Sequence, residues 1–311
     1  MTELSQKILD TYQIRKTNKQ KTAFIELLRQ YIPSLIVESE GMIKTRNLVV
    51  GDVEKAKVIL CAHYDTCAWM PVPNFIMPRN MIATLGYSLI LIVPILLAVL
   101  LLNWLLGLLT ADFWFHYWVS LIYVIGFLYL MIAGPANRHT ANDNTSGVVT
   151  LCEIYSQLSQ EEREQVAFVF FDLEEAGLIG SARFRKKYKK QMRNKLLINF
   201  DCVSDGDHIL LSVSKAAMGR YEKVIRAAFK DQDDKYFLIF PARKVYYPSD
   251  QANFDTTIAV AALKHRKGLG YYMNRIHTHR DTVFDKSNID LLRRQIIDLI
   301  RRIPDNKPGL Q

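Results

Sequence analysis

Formal charge is almost missing from one stretch of this 311-residue chain: between Arg79 and Arg138 the only charged residue is Asp112. That absence excludes an ordinary globular surface there, because the helices of a soluble domain keep one polar face. The start, MTELSQKILDTYQIRKTNKQK, lacks the apolar run of a signal peptide, so the first 80 residues are expected to stay inside the cell. Cysteine is sparse: the four thiols, at 61, 67, 152 and 202, show no CxxC spacing. This excludes a disulfide scaffold and reads as free thiols in a reducing compartment. Internal repeats and low-complexity segments are also missing, so the chain is not a repeat array.

The uncharged stretch is filled with apolar residues. Residues 82–109 and 113–134 each exceed the roughly 20 apolar residues that a helix needs to cross a bilayer. They predict a two-helix transmembrane hairpin over residues 80–136, with spans of about 84–106 and 114–134. Trp69, Trp104, Trp114 and Trp118 fall near the expected span ends, where amphipathic rings settle. The flanks carry Arg79 and Arg138 and the connecting turn carries no Lys or Arg, which orients both ends toward the cytoplasm. The expectation is an integral protein of the cell membrane with its remaining mass in the cytoplasm. Of the partners a net charge of +9 admits, the hairpin favours the lipid bilayer over nucleic acid. The densest basic run, Arg183 to Lys195, reads either as a solvated helix face or as a headgroup contact. The oligomeric state has no signature.

Outside the hairpin, short β-rich runs alternate with longer helical ones: AKVILCAHYD, GVVTLCEIYSQLS, QVAFVFFDLEE, a basic helix, then NKLLINFDCV. This is an α/β pattern. A helix is expected near Ala216–Lys230, a strand near Lys235–Phe240, a helix near Ala252–Lys264 and a last amphipathic helix over Asn288–Arg302. The expected fold is a mixed, largely parallel sheet flanked by helices, one catalytic domain of residues 1–79 and 137–311 interrupted by the hairpin.

The predicted strands end in ligand-type residues. His63 and Asp65 follow one, Glu174 and Glu175 another, and Asp201 a third. Carboxyl ends of strands in an open α/β sheet are where ligands bind. With Asp143 in HTANDNTSG and His277 in IHTHRDT, the set mixes imidazole and carboxylate as zinc prefers. Acidic groups so clustered would repel without a cation.

The ordered motifs AHYDT, ANDNTSGV, FFDLEEAGLIGS, NFDCV and HTHRDT together resemble metallopeptidase family twenty-eight. That family includes bacterial leucyl aminopeptidases, glutamate carboxypeptidase and, more distantly, glutaminyl cyclases. The resemblance implies a zinc-peptidase fold and two zinc ions, with cobalt or manganese as possible replacements. It implies that His63, Asp143 and Asp201 hold one ion while Asp143, Glu175 and His277 hold the other. Asp65 would orient the ligating imidazole, and Glu174 would be the general base. His279 is left as a solvated loop residue, because only His277 satisfies His-Thr-x-x-Asp-Thr. In YYPSDQANF, Tyr246 is the candidate oxyanion donor, with Tyr247 as a rival, and Gln251 departs from the family's histidine.

The activity this implies is removal of N-terminal residues from a peptide substrate. The same fold also supports N-acyl or amide hydrolysis, glutaminyl cyclisation, or a non-catalytic scaffold that has lost its ligands. Retention of both His63 and Asp201 favours two metals and hydrolysis.

Overall fold

The computed structural model describes residues 1–41, 44–72 and 74–304; the last residues of the expected catalytic domain, 305–311, lie outside the described residues. Among the described residues nine strands form the sheet: β1 (Ile36–Glu40), β2 (Thr45–Val50), β3 (Val58–His63), β4 (Val166–Phe171), β5 (Leu196–Phe200), β6 (His208–Val213), β7 (Tyr236–Pro241), β8 (Thr257–Arg266) and β9 (Gly270–Tyr272). Their order is β1-β2-β4-β3-β5-β8-β6-β7, with β9 on β8. The centre, β4-β3-β5-β8, is parallel, while β2 pairs β4 and β6 pairs β8 antiparallel. Strands from before and after the uncharged stretch therefore share one mixed sheet.

The helices are α1 (Glu3–Thr11), α2 (Asn18–Tyr31), α3 (Met81–Gly107), α4 (Phe113–Ala133), α5 (Gly147–Gln157), α6 (Gln160–Arg163), α7 (Ile179–Lys187), α8 (Lys215–Ala228) and α9 (Lys286–Arg302). Both faces of the central strands are covered, which is why those strands read as unbroken apolar runs. Leu60 and Ala62 of β3, Phe168 of β4 and Ile198 of β5 face a core that includes α1, α2, α5, α8 and α9. Ile59, Cys61, Val169 and Leu197 face the other side, with Phe184 of α7.

The segment expected as a helix near Ala252–Lys264 is instead mostly strand: β8 runs from Thr257 to Arg266, with Thr257 through Leu263 all buried. A continuous apolar run lacks the period-2 alternation that marks a half-buried strand, and its alanines suit a helix equally well. Burial between two layers decides it.

Helices α3 and α4 pack on each other, and Asn103 Nδ2 donates to Ser120 Oγ across the pair at 2.7 Å. Both are long and apolar enough to cross a membrane, and neither buries any of its most apolar 18-residue window. Their roots are tied to each other: Trp69 N donates to Pro135 O (2.8 Å) and Asn137 N to Cys67 O (3.2 Å). The basic run from Arg183 leads down α7 and ends at Lys195, beside the amino end of β5. Since β5 rises about 3.3 Å per residue, that end lies well away from the strand tips and hairpin roots. Lys195 itself is buried, its Nζ donating to Val53 O, Glu54 O and Ala56 O.

Candidate active site

Strand register brings the first donors together. In the parallel β3–β5 pair Cys61 faces Asn199, so two residues further His63 stands beside Asp201, on the same face of the sheet. His63 Nε2 lies 3.5 Å from Asp201 Oδ1 and 3.4 Å from Asp143 Oδ1. His277 Nε2 lies 3.1 Å from Asp143 Oδ2 and 3.5 Å from Glu175 Oε2. Each oxygen of the Asp143 carboxylate is thus addressed by a different imidazole.

Asp143 sits in the turn Ala141–Ser146 that leads into α5, and other residues fix it there. The carboxylate of Asp281 accepts Asn142 N (2.8 Å) and Asp143 N (3.0 Å). Asn142 Oδ1 accepts Ser204 N and Asp205 N, and the Asn144 side chain spans Phe200 O and Gly147 N. Gly147 is required by close approach, since a Cβ there would meet Phe200 O at 2.3 Å. Asp65 holds the next strand end: its two carboxylate oxygens accept Glu174 N (3.0 Å) and Glu175 N (3.3 Å), and its carbonyl lies 3.1 Å from His63 Nδ1. Leu173 and Leu178, bracketing the two glutamates, and Cys202 and His277 all have φ between 56° and 64°. Left-handed backbone at non-glycine residues is a sign of tertiary constraint concentrated at a site.

Burial is the largest single influence on the electrostatics of these groups. Burial lifts Glu175 to about 8, with Asp143 adding to the rise against His277 and His63. Burial also lifts Glu174 well above the carboxylate range, helped by Glu175, Asp250 and Asp201 against His63. For His277 burial acts downward but is outweighed by Glu175, Asp143 and Asp281, leaving it near 9. Glu175 Oε1 and Asp201 Oδ1 are buried without a hydrogen-bond partner. Donor atoms of His63, Glu174 and Asp201 lie within 4.8 Å of one another, as do those of Cys67, Asp143, Glu175 and His277. Carboxylate and imidazole donors with orphaned oxygens fit divalent ions of the zinc type. Beneath them Arg15, wholly buried, donates to Tyr64 O, Tyr12 O and Thr145 Oγ1.

The site opens into a cavity of about 290 Å³, walled on its apolar side by Ile76, Tyr247, Pro248 and Ile276. Tyr246 is not part of it. It is 44% exposed and its amide donates to Pro78 O, whereas Tyr247 is buried and its hydroxyl donates to Asp201 O at 3.0 Å. Adjacent side chains on an extended segment point to opposite sides, so only one of the pair can face inward. Gln251 braces this loop: its Oε1 accepts Asn199 Nδ2 and its Nε2 donates to Tyr247 O. His279 lies apart, in a small cavity with Trp69 and His139. Asp281, Asn142, Asn144 and Arg15 carried no assigned role in the sequence, although Asp281 lies in HTHRDT and Asn142 and Asn144 in ANDNTSGV; Cys67 was read only as a free thiol.

The fold is a mixed α/β sheet flanked by helices, with imidazole and carboxylate donors that suit a divalent metal gathered at its strand tips. The profile of peptidase family M28 matches residues 126–300, more than half of the chain, and the chain belongs to that family. His63 and Asp65 precede the matched residues, and the fold alone brings them in. The structure is similar to that of the LapA aminopeptidase of Legionella pneumophila (TM-score 0.57, 11% identity, 98% of this chain and 69% of that one). It is similar to the glutaminyl cyclases of Porphyromonas gingivalis (TM-score 0.57, 16% identity, 96% and 95% of the two chains) and Fimbriiglobus ruber (TM-score 0.55, 14% identity, 97% and 94%). At such identities the likeness is one of fold. No curated protein matches the chain by sequence.

Proposed function

We propose that this chain is a membrane-anchored aminopeptidase with two zinc ions, built as one catalytic domain (residues 1–79 and 137–311) interrupted by an inserted membrane hairpin (80–136). The observation that carries the reading is the Asp143 carboxylate, with a separate histidine at each oxygen, 3.4 and 3.1 Å away. One carboxylate so placed suits a bridge between two ions. His63, Asp143 and Asp201 would hold one ion and Asp143, Glu175 and His277 the other. Bound there, the ions would polarise the scissile carbonyl and acidify the attacking water.

The chain's own groups complete the chemistry. Glu174 takes a proton from the attacking water and returns it to the departing amine. Asp65 fixes the backbone of both glutamates and, through its carbonyl, the tautomer of His63. The wall of Ile76, Tyr247 and Ile276 receives apolar side chains. In this reading α3 and α4 span the bilayer with the catalytic domain in the cytoplasm. The segment entering the hairpin is bonded to the segment carrying the second histidine, Met70 N to His277 O at 2.8 Å. This bond supports a site beside the membrane surface, within reach of hydrophobic or membrane-derived peptides such as the fragments left by intramembrane cleavage.

The test compares adjacent carboxylates. Glu174→Gln should lower turnover by roughly 10²–10⁴-fold with metal content intact, while Glu175→Gln and His277→Ala should also lose metal. The reverse pattern would exchange the two glutamates. A stoichiometry of one ion, unchanged by added zinc, would overturn the two-ion reading and favour a cyclase-like enzyme.

A further inference from the structure

We propose that Cys67 is a further metal ligand, its thiolate joining Asp143, Glu175 and His277 at the second metal position. The proposal rests on the metallopeptidase reading above and goes beyond its five ligands. Donor atoms of these four residues lie within 4.8 Å of one another. Cys67 is 2% exposed, yet its surroundings differ from those of the other thiols. Cys61, Cys152 and Cys202 each pack in an apolar cluster of the core, and Cys67 is in none of them. It is a buried thiol among polar groups, where a hydrophobic role explains little.

Two more observations point to a ligand. Glu175 Oε1, in the same group, is buried with no hydrogen-bond partner, as an oxygen aimed at a cation would be. The Cys67 backbone is also held in place from two sides. Its carbonyl accepts Asn137 N, Trp69 N donates to Pro135 O, and Met70 N donates to His277 O. The hairpin roots therefore fix the thiol against the segment that carries His277. On coordination the thiol releases its proton to solvent and the sulfur lone pair forms the metal bond. A sulfur donor beside imidazole and carboxylates biases this position toward zinc and cadmium over magnesium or manganese. A second thiol, Cys202, has its sulfur within 4.8 Å of Asp143 and Asp201 donor atoms, but it packs in an apolar cluster with Leu210, Tyr247 and Ala259.

The experiment uses the full chain in detergent micelles, stripped of metal and titrated with cobalt(II). Wild type should bind two ions, and a thiolate-to-cobalt charge-transfer band in the near ultraviolet should grow with one of them. Cys67→Ala and Cys67→Ser should both lack the band, and one zinc ion should bind at least about tenfold more weakly. Circular dichroism of the variants controls for folding, and Cys202→Ser, which should keep the band, separates the Cys67 thiol from the one beside Asp143 and Asp201. Two ions bound by wild type without the band would overturn the proposal, as would a band that survives in Cys67→Ser. Failure to bind any cobalt would overturn the metallopeptidase reading as well, which separates the two.

Discussion

Lys21 and Asp172 form an ion pair at 2.5 Å with side chains only 4% and 2% exposed. Asp172 closes β4 just ahead of the two glutamates, and its carboxylate also accepts Arg46 N and Leu173 N. Lys21→Met would keep most of the buried volume but leave that carboxylate without its counter-charge. Breaking a buried pair from one side costs about 3–5 kcal/mol. At roughly 2–4 °C per kcal/mol for a domain of this size, the melting temperature should fall by roughly 6–20 °C. The assay is thermal unfolding in detergent followed by near-ultraviolet circular dichroism. The pH dependence has a definite sign. Burial holds the Asp172 carboxyl above its usual range, with Lys21 opposing and Asp65 adding to the rise. Removing Lys21 lifts it further, so the folded variant retains a proton that its unfolded chain releases. Its stability then falls as pH rises through the window above the unfolded carboxyl value of about 3.9. The deficit against wild type should be largest at neutral pH and shrink on acidification. A loss under about 2 °C at pH 7, or a deficit that widens in acid, would refute the reasoning.

Asp281→Ala removes both acceptors for Asn142 N and Asp143 N; metal affinity, measured by competition with a chelator, should fall about 10–100-fold, and unchanged affinity would show that the Asp143 turn holds itself. Replacing residues 80–136 with a short polar loop should yield protein that no longer partitions into membranes, with turnover of hydrophobic peptides lowered relative to hydrophilic ones. Unchanged selectivity would reduce the hairpin to an anchor. Cysteine labelling should place residues 1–78 and 139–311 in the cytoplasm, and labelling from outside would reverse the proposed topology.

Much of this protein is determined along the chain. The two long apolar helices are legible because their spans carry almost no charge, and the strand ends are legible because apolar β-rich runs stop close to His63, Glu174 and Asp201. Local order along the chain also fixed which residue types cluster. What the chain could not show depends on layers and distances. β8 is a strand because two layers bury it, not because of its residues, whose apolar pattern serves either form. Tyr247 rather than Tyr246 turns inward because β5 and Gln251 hold that loop in one phase. Asp281, Arg15 and Cys67 gain their significance only where segments far apart in sequence meet, since a hydrogen bond or a ligand bond depends on separation in space and leaves no periodicity behind.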